Sequence, residues 1–163
     1  MPAEYLPSVH LDDLLRKSCT HGDRYGSVDA DIAGPLRLTQ LGAALTEVAP
    51  GKSCCPFHVH HAEDEMFVIL EGEGAYRFGD ASYEVRAGHV LGAPRGGPDY
   101  AHKLTNTGQG PLRYFSISSK ADIDVCEYPD SGKFLVSSRG AGKLRYIGRE
   151  ANALDYFDGE EDA

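Results

Sequence analysis

The stretch His58-Val-His60-His61-Ala-Glu63-Asp64-Glu65 places three histidines and three acids within eight residues. Imidazole and carboxylate donors together suit Fe, Mn, Ni, Zn or Cu better than Ca or Mg. On an extended strand, residues i and i+2 share a face, so His58 and His60 converge while His61 points away. Glu65 follows a short turn and opens the next apolar run, whose antiparallel return can bring its carboxylate back. His102, on a later run, is a further donor. His61 and Glu63 have the wrong parity or fall in the turn, and are expected to be exposed or to support the ligands. Asp64 reads as a turn acid. The segment Glu127-Tyr-Pro-Asp-Ser-Gly-Lys133 does not complete a phosphate loop and reads as a turn around Pro129.

The elements that must position these groups are short and β-like. Strands are expected at 36–40, 43–49, 57–61, 65–71, 75–78, 82–86, 90–93, 102–106 and 112–118. Their separators are turn chemistry: Pro50-Gly51, Gly72-Glu73-Gly74, Gly79-Asp80, Gly88 and Asn106-Thr107-Gly108. Many short strands joined by glycine turns give an all-β sandwich or barrel. In the run Glu65–Glu71 both faces are apolar, so both should be covered, the outer one by something beyond the barrel. Phe67, Tyr76 and Phe78 have the parity to line the interior as pocket walls. Val9–Lys17 fits a short amphipathic helix. After Lys120, strand-like pieces at 123–128 and 133–136 form an arm.

Two spacings resemble the cupin family. The first family motif, G-x(5)-H-x-H-x(3,4)-E-x(6)-G, is met by His58, His60, Glu65 and Gly72, with Gly51 one residue early. The second, G-x(5)-P-x-G-x(2)-H-x(3)-N, is met by Gly88, Pro94, Gly96, His102 and Asn106. Here five residues, Gly97–Ala101, stand where the pattern has two. The resemblance covers about Leu36 to Ser119, roughly half the chain. It implies a double-stranded β-helix, the jelly-roll barrel, with one divalent metal ion (Zn, Fe, Mn or Ni) on His58, His60, Glu65 and His102. It also implies up to two open coordination positions for water or substrate. Small bacterial cupins with a similar stretch after the barrel carry sugar-phosphate-isomerase descriptions by similarity. The fold hosts many chemistries. The expectations are a metal-dependent isomerase or epimerase of a sugar or sugar phosphate, an Fe(II) dioxygenase of the three-His-one-Glu type, or a non-catalytic metal or small-ligand binding protein.

The remaining composition bounds the partners. The 163 residues carry a net charge of −9, much of the acid being C-terminal: Asp155, Asp158, Glu160, Glu161 and Asp162. Such a surface repels phosphate backbones and anionic lipid, so a small molecule is expected as ligand or substrate, and neither nucleic acid nor membrane. No apolar run is long enough to span a bilayer and the first residues show no secretory pattern, so a cytoplasmic location is expected. Cys19, Cys54, Cys55 and Cys126 form no C-x-x-C pair and are expected to be free thiols, Cys54 and Cys55 buried as small apolar groups. The expected organisation is an N-terminal arm with a short helix at 1–30, a barrel at 31–120, and a C-terminal arm and acidic tail at 121–163. Arms without a core of their own, and the two-sided strand, point to a homodimer.

Overall fold

The computed structural model describes Tyr5, residues 7–140 and residues 142–161; Asp162 of the acidic tail lies outside them. Among the described residues thirteen strands are formed: β1 (Arg16–His21), β2 (Tyr25–Asp31), β3 (Leu41–Val48), β4 (Val59–His60), β5 (Glu65–Glu71), β6 (Glu73–Phe78), β7 (Ala81–Arg86), β8 (Val90–Ala93), β9 (His102–Asn106), β10 (Leu112–Ser119), β11 (Ile123–Tyr128), β12 (Lys133–Ser138) and β13 (Arg145–Gly148). All helical segments among the described residues are single 3₁₀ turns, and none is long and apolar enough to cross a membrane. The architecture is the all-β double-stranded β-helix.

One wall is a six-stranded antiparallel sheet in the order β1-β2-β3-β10-β5-β8. The other is built from two pieces, β13-β12-β11-β4 and β7-β6-β9. A backbone bridge between His58 and His102 joins these pieces. The main core lies between the walls: Val48, Phe67, Ile69, Leu91, Leu112 and Tyr114 from the first meet Tyr76, Val85 and Leu104 from the second. These are the inward residues of alternating strands, and burying them is the main favourable term in folding.

The strand expected at 57–61 is reduced to Val59–His60, and β1 and β2 form where no strand is expected. Two further elements differ from their expected form. The helix over Val9–Lys17 is replaced by a 3₁₀ turn at Leu11–Asp13, followed directly by β1. Val9, Leu11 and Leu14 still face inward, packing with Ala30, Leu45, Ile32 and Phe115 on the outer face of the six-stranded sheet. A turn with i, i+3 spacing meets that apolar pattern, and the Arg16–His21 backbone finds its hydrogen-bond partners in β2. Residues 36–40 form turns, with Arg37 N donating to Gly34 O and Leu38 N to Ala33 O. The inner face of β5 is buried, as its apolar parity demands. Its outer face is only partly covered, leaving Met66 40% and Leu70 41% exposed.

Asn106, the last residue of the second spacing, is a structural hub. Its side-chain amide donates to Val48 O and Gly110 O, each at 2.8 Å, and its Oδ1 accepts from Gly108 N at 2.9 Å. A buried amide so fully partnered ties the end of β9 to β3 and to the loop before β10.

Candidate metal centre

The site is assembled by three short pieces of backbone. His58 N donates to His102 O at 3.1 Å and His102 N to His58 O at 2.8 Å, which puts the two rings side by side across the bridge, 4.5 Å between centroids and tilted by 50°. The intervening Phe57, Val59 and Ala101 form an apolar cluster on the opposite side, so alternation turns His58 and His60 to the interior. Glu65 arrives at the start of β5, whose register with β10 and β8 is continuous there.

One oxygen, Glu65 Oε2, collects all three rings. It lies 3.0 Å from His102 Nε2, 3.5 Å from His58 Nε2 and 3.5 Å from His60 Nε2. The other ring nitrogens are committed elsewhere. His58 Nδ1 lies 2.9 Å from Pro56 O, His60 Nδ1 2.6 Å from Asp124 Oδ2, and His102 Nδ1 3.4 Å from Tyr100 O. Carbonyl and carboxylate oxygens only accept, so each Nδ1 can carry a proton, which leaves each Nε2 able to present a lone pair once its own proton is displaced. Three imidazole nitrogens and a carboxylate converge on one point, where a metal ion can replace the Nε2 protons and accept all four donors. The chemistry of the donor set therefore fits a metal ion, and His58, Glu65 and His102 keep their donor atoms within 4.8 Å of one another.

Protonated at Nε2, the histidines instead donate to Glu65. Burial pushes the Glu65 carboxyl up, yet hydrogen bonds from His102 and His58 and the nearby histidine charge hold it far below the usual carboxylate range. Burial lowers His58, but Glu65 beside it outweighs burial and leaves the imidazole above its ordinary value.

The neighbours of the site have separate roles. His61 points outward and pairs with Glu127, Nε2 to Oε1 2.6 Å, at the surface. Glu63 is buried rather than exposed; Arg139 reaches it at 2.7 Å and Ala121 N donates to it at 3.0 Å. Asp64 accepts from Arg95 N at 2.9 Å in the turn. Phe67 and Tyr76 stand beside His102, with ring centroids 5.6 and 6.2 Å away, and Phe78 packs on Tyr76. The Tyr76 hydroxyl donates to Gly92 O. The insertion 97–101 forms a 3₁₀ turn at Pro98–Tyr100 and supplies the carbonyl that His102 Nδ1 meets.

Asp124 is the residue that sequence reasoning missed. It is buried, holds His60 Nδ1, and accepts from Ala62 N at 3.0 Å with its other oxygen. Its parity carried a signal, since Asp124 and Cys126 are the two buried positions of β11. What the sequence lacked was the pairing of β11 with β4, which sets Cys126 opposite His60. The thiols also gather here. Cys54 Sγ and Cys55 Sγ are 3.2 Å apart, and Cys55 Sγ is 3.8 Å from His58 Nδ1. Burial pushes the Cys126 thiol up to about 12.

Comparison with known proteins bears on this geometry. Residues 44–118 match the family described as the Cupin domain. An uncharacterized protein of Methanocaldococcus jannaschii is 29% identical over 107 residues, covering 63% of this chain and 83% of its own length. A crystal structure from Acidithiobacillus ferrooxidans, a candidate sugar phosphate isomerase, is similar with a TM-score of 0.68 and 27% identity, over 78% of this chain and 80% of that one. A second, described as a sugar phosphate isomerase from a cupin superfamily of Silicibacter pomeroyi, has a TM-score of 0.79 over 93% of this chain and 98% of its own. At 19% identity that likeness shows the fold alone.

Proposed function

We propose, for a chain whose residues 44–118 are a cupin domain, that His58, His60, Glu65 and His102 hold one divalent metal ion. We propose further that the protein is a metal-dependent isomerase or epimerase of a sugar or sugar phosphate. The observation that carries the metal reading is the commitment of all three Nδ1 atoms, which leaves three Nε2 atoms converging with Glu65 Oε2 and available to an ion. The isomerase reading draws support from the similarity to the Acidithiobacillus structure at 27% identity.

When bound, the ion supplies a Lewis acid that polarises a carbonyl oxygen. The chain's own groups do the rest. Phe67, Tyr76 and Phe78 wall the site beside His102 and exclude water. Of the cations near the site in sequence, Lys103 alternates with the buried His102 and Leu104 and so faces outward. Arg113 stands between Glu47 and Glu71, at 3.6 and 3.3 Å. Arg95, exposed and tied by its backbone to Asp64 one residue before Glu65, is the cation we assign to a phosphate in this reading.

The same donor set suits an Fe(II) dioxygenase, and a binding protein needs no more than the site itself. Purified protein analysed for its metal, then screened as Fe, Mn, Ni and Zn forms against aldose and ketose phosphates with and without O₂, separates the three. Interconversion without O₂ consumption supports the isomerase. O₂ uptake coupled to substrate cleavage replaces it with the oxygenase. Tight metal or ligand binding without turnover in any form leaves the binding protein.

A further inference from the structure

We infer that Cys126 is a thiolate donor to the same centre, so that the site takes a mixed nitrogen, oxygen and sulfur set. This rests on the metal reading above and extends it by one ligand from outside the barrel motifs. The donor atoms of His58, His60 and Cys126 all lie within 4.8 Å of one another, as do those of His58, Glu65 and His102. His58 belongs to both groups, and Glu65 Oε2 lies 3.5 Å from the Nε2 of His60 as well. The two groups thus adjoin at His58 and His60.

Backbone geometry makes the placement firm. Cys126 is the cross-strand partner of His60 in the β4–β11 pair, and it lies two residues from Asp124, which holds the same ring. Asp124 and Cys126 thus project from β11 on one face, one to the far nitrogen of His60 and one to the donor cluster. The apolar alternative fits poorly. Cys126 is 3% exposed yet belongs to none of the three apolar clusters formed by the described residues.

Zinc holds thiolate at about 2.3 Å and imidazole at about 2.0–2.1 Å, so neighbouring donors around one five-coordinate ion stand roughly 3–3.5 Å apart. Within each group of three the donors lie 4.8 Å apart or less, so each closes on an ion with a contraction of at most about 1.8 Å. As the sulfur–metal bond forms, the S–H proton leaves to solvent. A sulfur ligand shifts preference toward zinc and its borderline neighbours and away from Mn(II).

The test is the spectrum of the full chain, stripped of metal and loaded with Co(II). Visible d–d bands report binding, and an intense near-ultraviolet band reports sulfur-to-cobalt charge transfer. The expected result is both in the wild type, loss of only the near-ultraviolet band in Cys126→Ser, and its retention in Cys54→Ser and Cys55→Ser. Because a buried substitution can impair folding, X-ray absorption of the wild-type zinc form gives an answer without a variant. It should show a sulfur scatterer at about 2.3 Å beside nitrogen and oxygen. A first shell of nitrogen and oxygen alone, or d–d bands without the sulfur band, overturns the inference and leaves the metal site standing. No cobalt spectrum at all sinks both.

Discussion

The contact between His60 Nδ1 and Asp124 Oδ2, 2.6 Å, fixes the tautomer and the ring plane of a proposed ligand. Such partners strengthen a donor, and losing one typically costs about 10–100-fold in metal affinity. Asp124→Ala is therefore expected to weaken binding by about that factor, read by competition with a chromophoric chelator. Unchanged affinity would reduce Asp124 to a structural bond. The ligands themselves should behave more severely. His58→Ala or His102→Ala is expected to bring metal content near background by elemental analysis, whereas His61→Ala, paired outward with Glu127, should keep it. Stoichiometric metal in both ligand variants would refute the assignment.

At the scale of elements, tight turns hold the strands of the barrel in register. Gly72 joins β5 to β6 with φ +85°, and a Cβ there would meet Pro111 O at 2.4 Å. Strain and clash act together, so Gly72→Ala is expected to destabilise the fold by about 2 kcal/mol or more. A thermal melt coincident with wild type would contradict this. The same element shows why so much was legible. Glycine punctuation and period-two alternation are local, so β5, β8, β9 and β11 fall where their residues predict them. The spacing of His58, His60 and Glu65 is local too, and strand parity turns it into convergence. The helix at Val9–Lys17 misled because three apolar residues at 9, 11 and 14 satisfy a 3₁₀ turn as well as an α-helix, and the choice was made by pairing with β2. Asp124 was invisible for a related reason, being 64 residues from its partner His60.

For the whole molecule, the outer face of the six-stranded sheet is divided. The N-terminal segment covers the part over Leu45 and Phe115. A strip remains on β5 and β8, with Met66, Leu70 and Val90 exposed, the last at 62%. That strip supports a homodimer, in which a two-fold contact buries it symmetrically along with at least about 1,000 Å² of surface in total. Sedimentation at micromolar concentration should show twice the chain mass; a single species near 17.6 kDa would rule the dimer out.

The arm strand β11 that holds His60 is also bound to the barrel through Ala62 N and His61, and Arg139 beyond it clasps Glu63. Reciprocity between coupled equilibria then applies: if a docked arm tightens the grip on an ion, the ion tightens the arm by the same factor. Protease resistance of residues 121–140 becomes a gauge of occupancy, expected to fall on chelation and to recover on refilling. Identical digestion rates in the two conditions would show that the strand and the centre are indifferent to each other. In a cell, such coupling would make metal starvation legible to the degradation machinery as a loosened C-terminal strand.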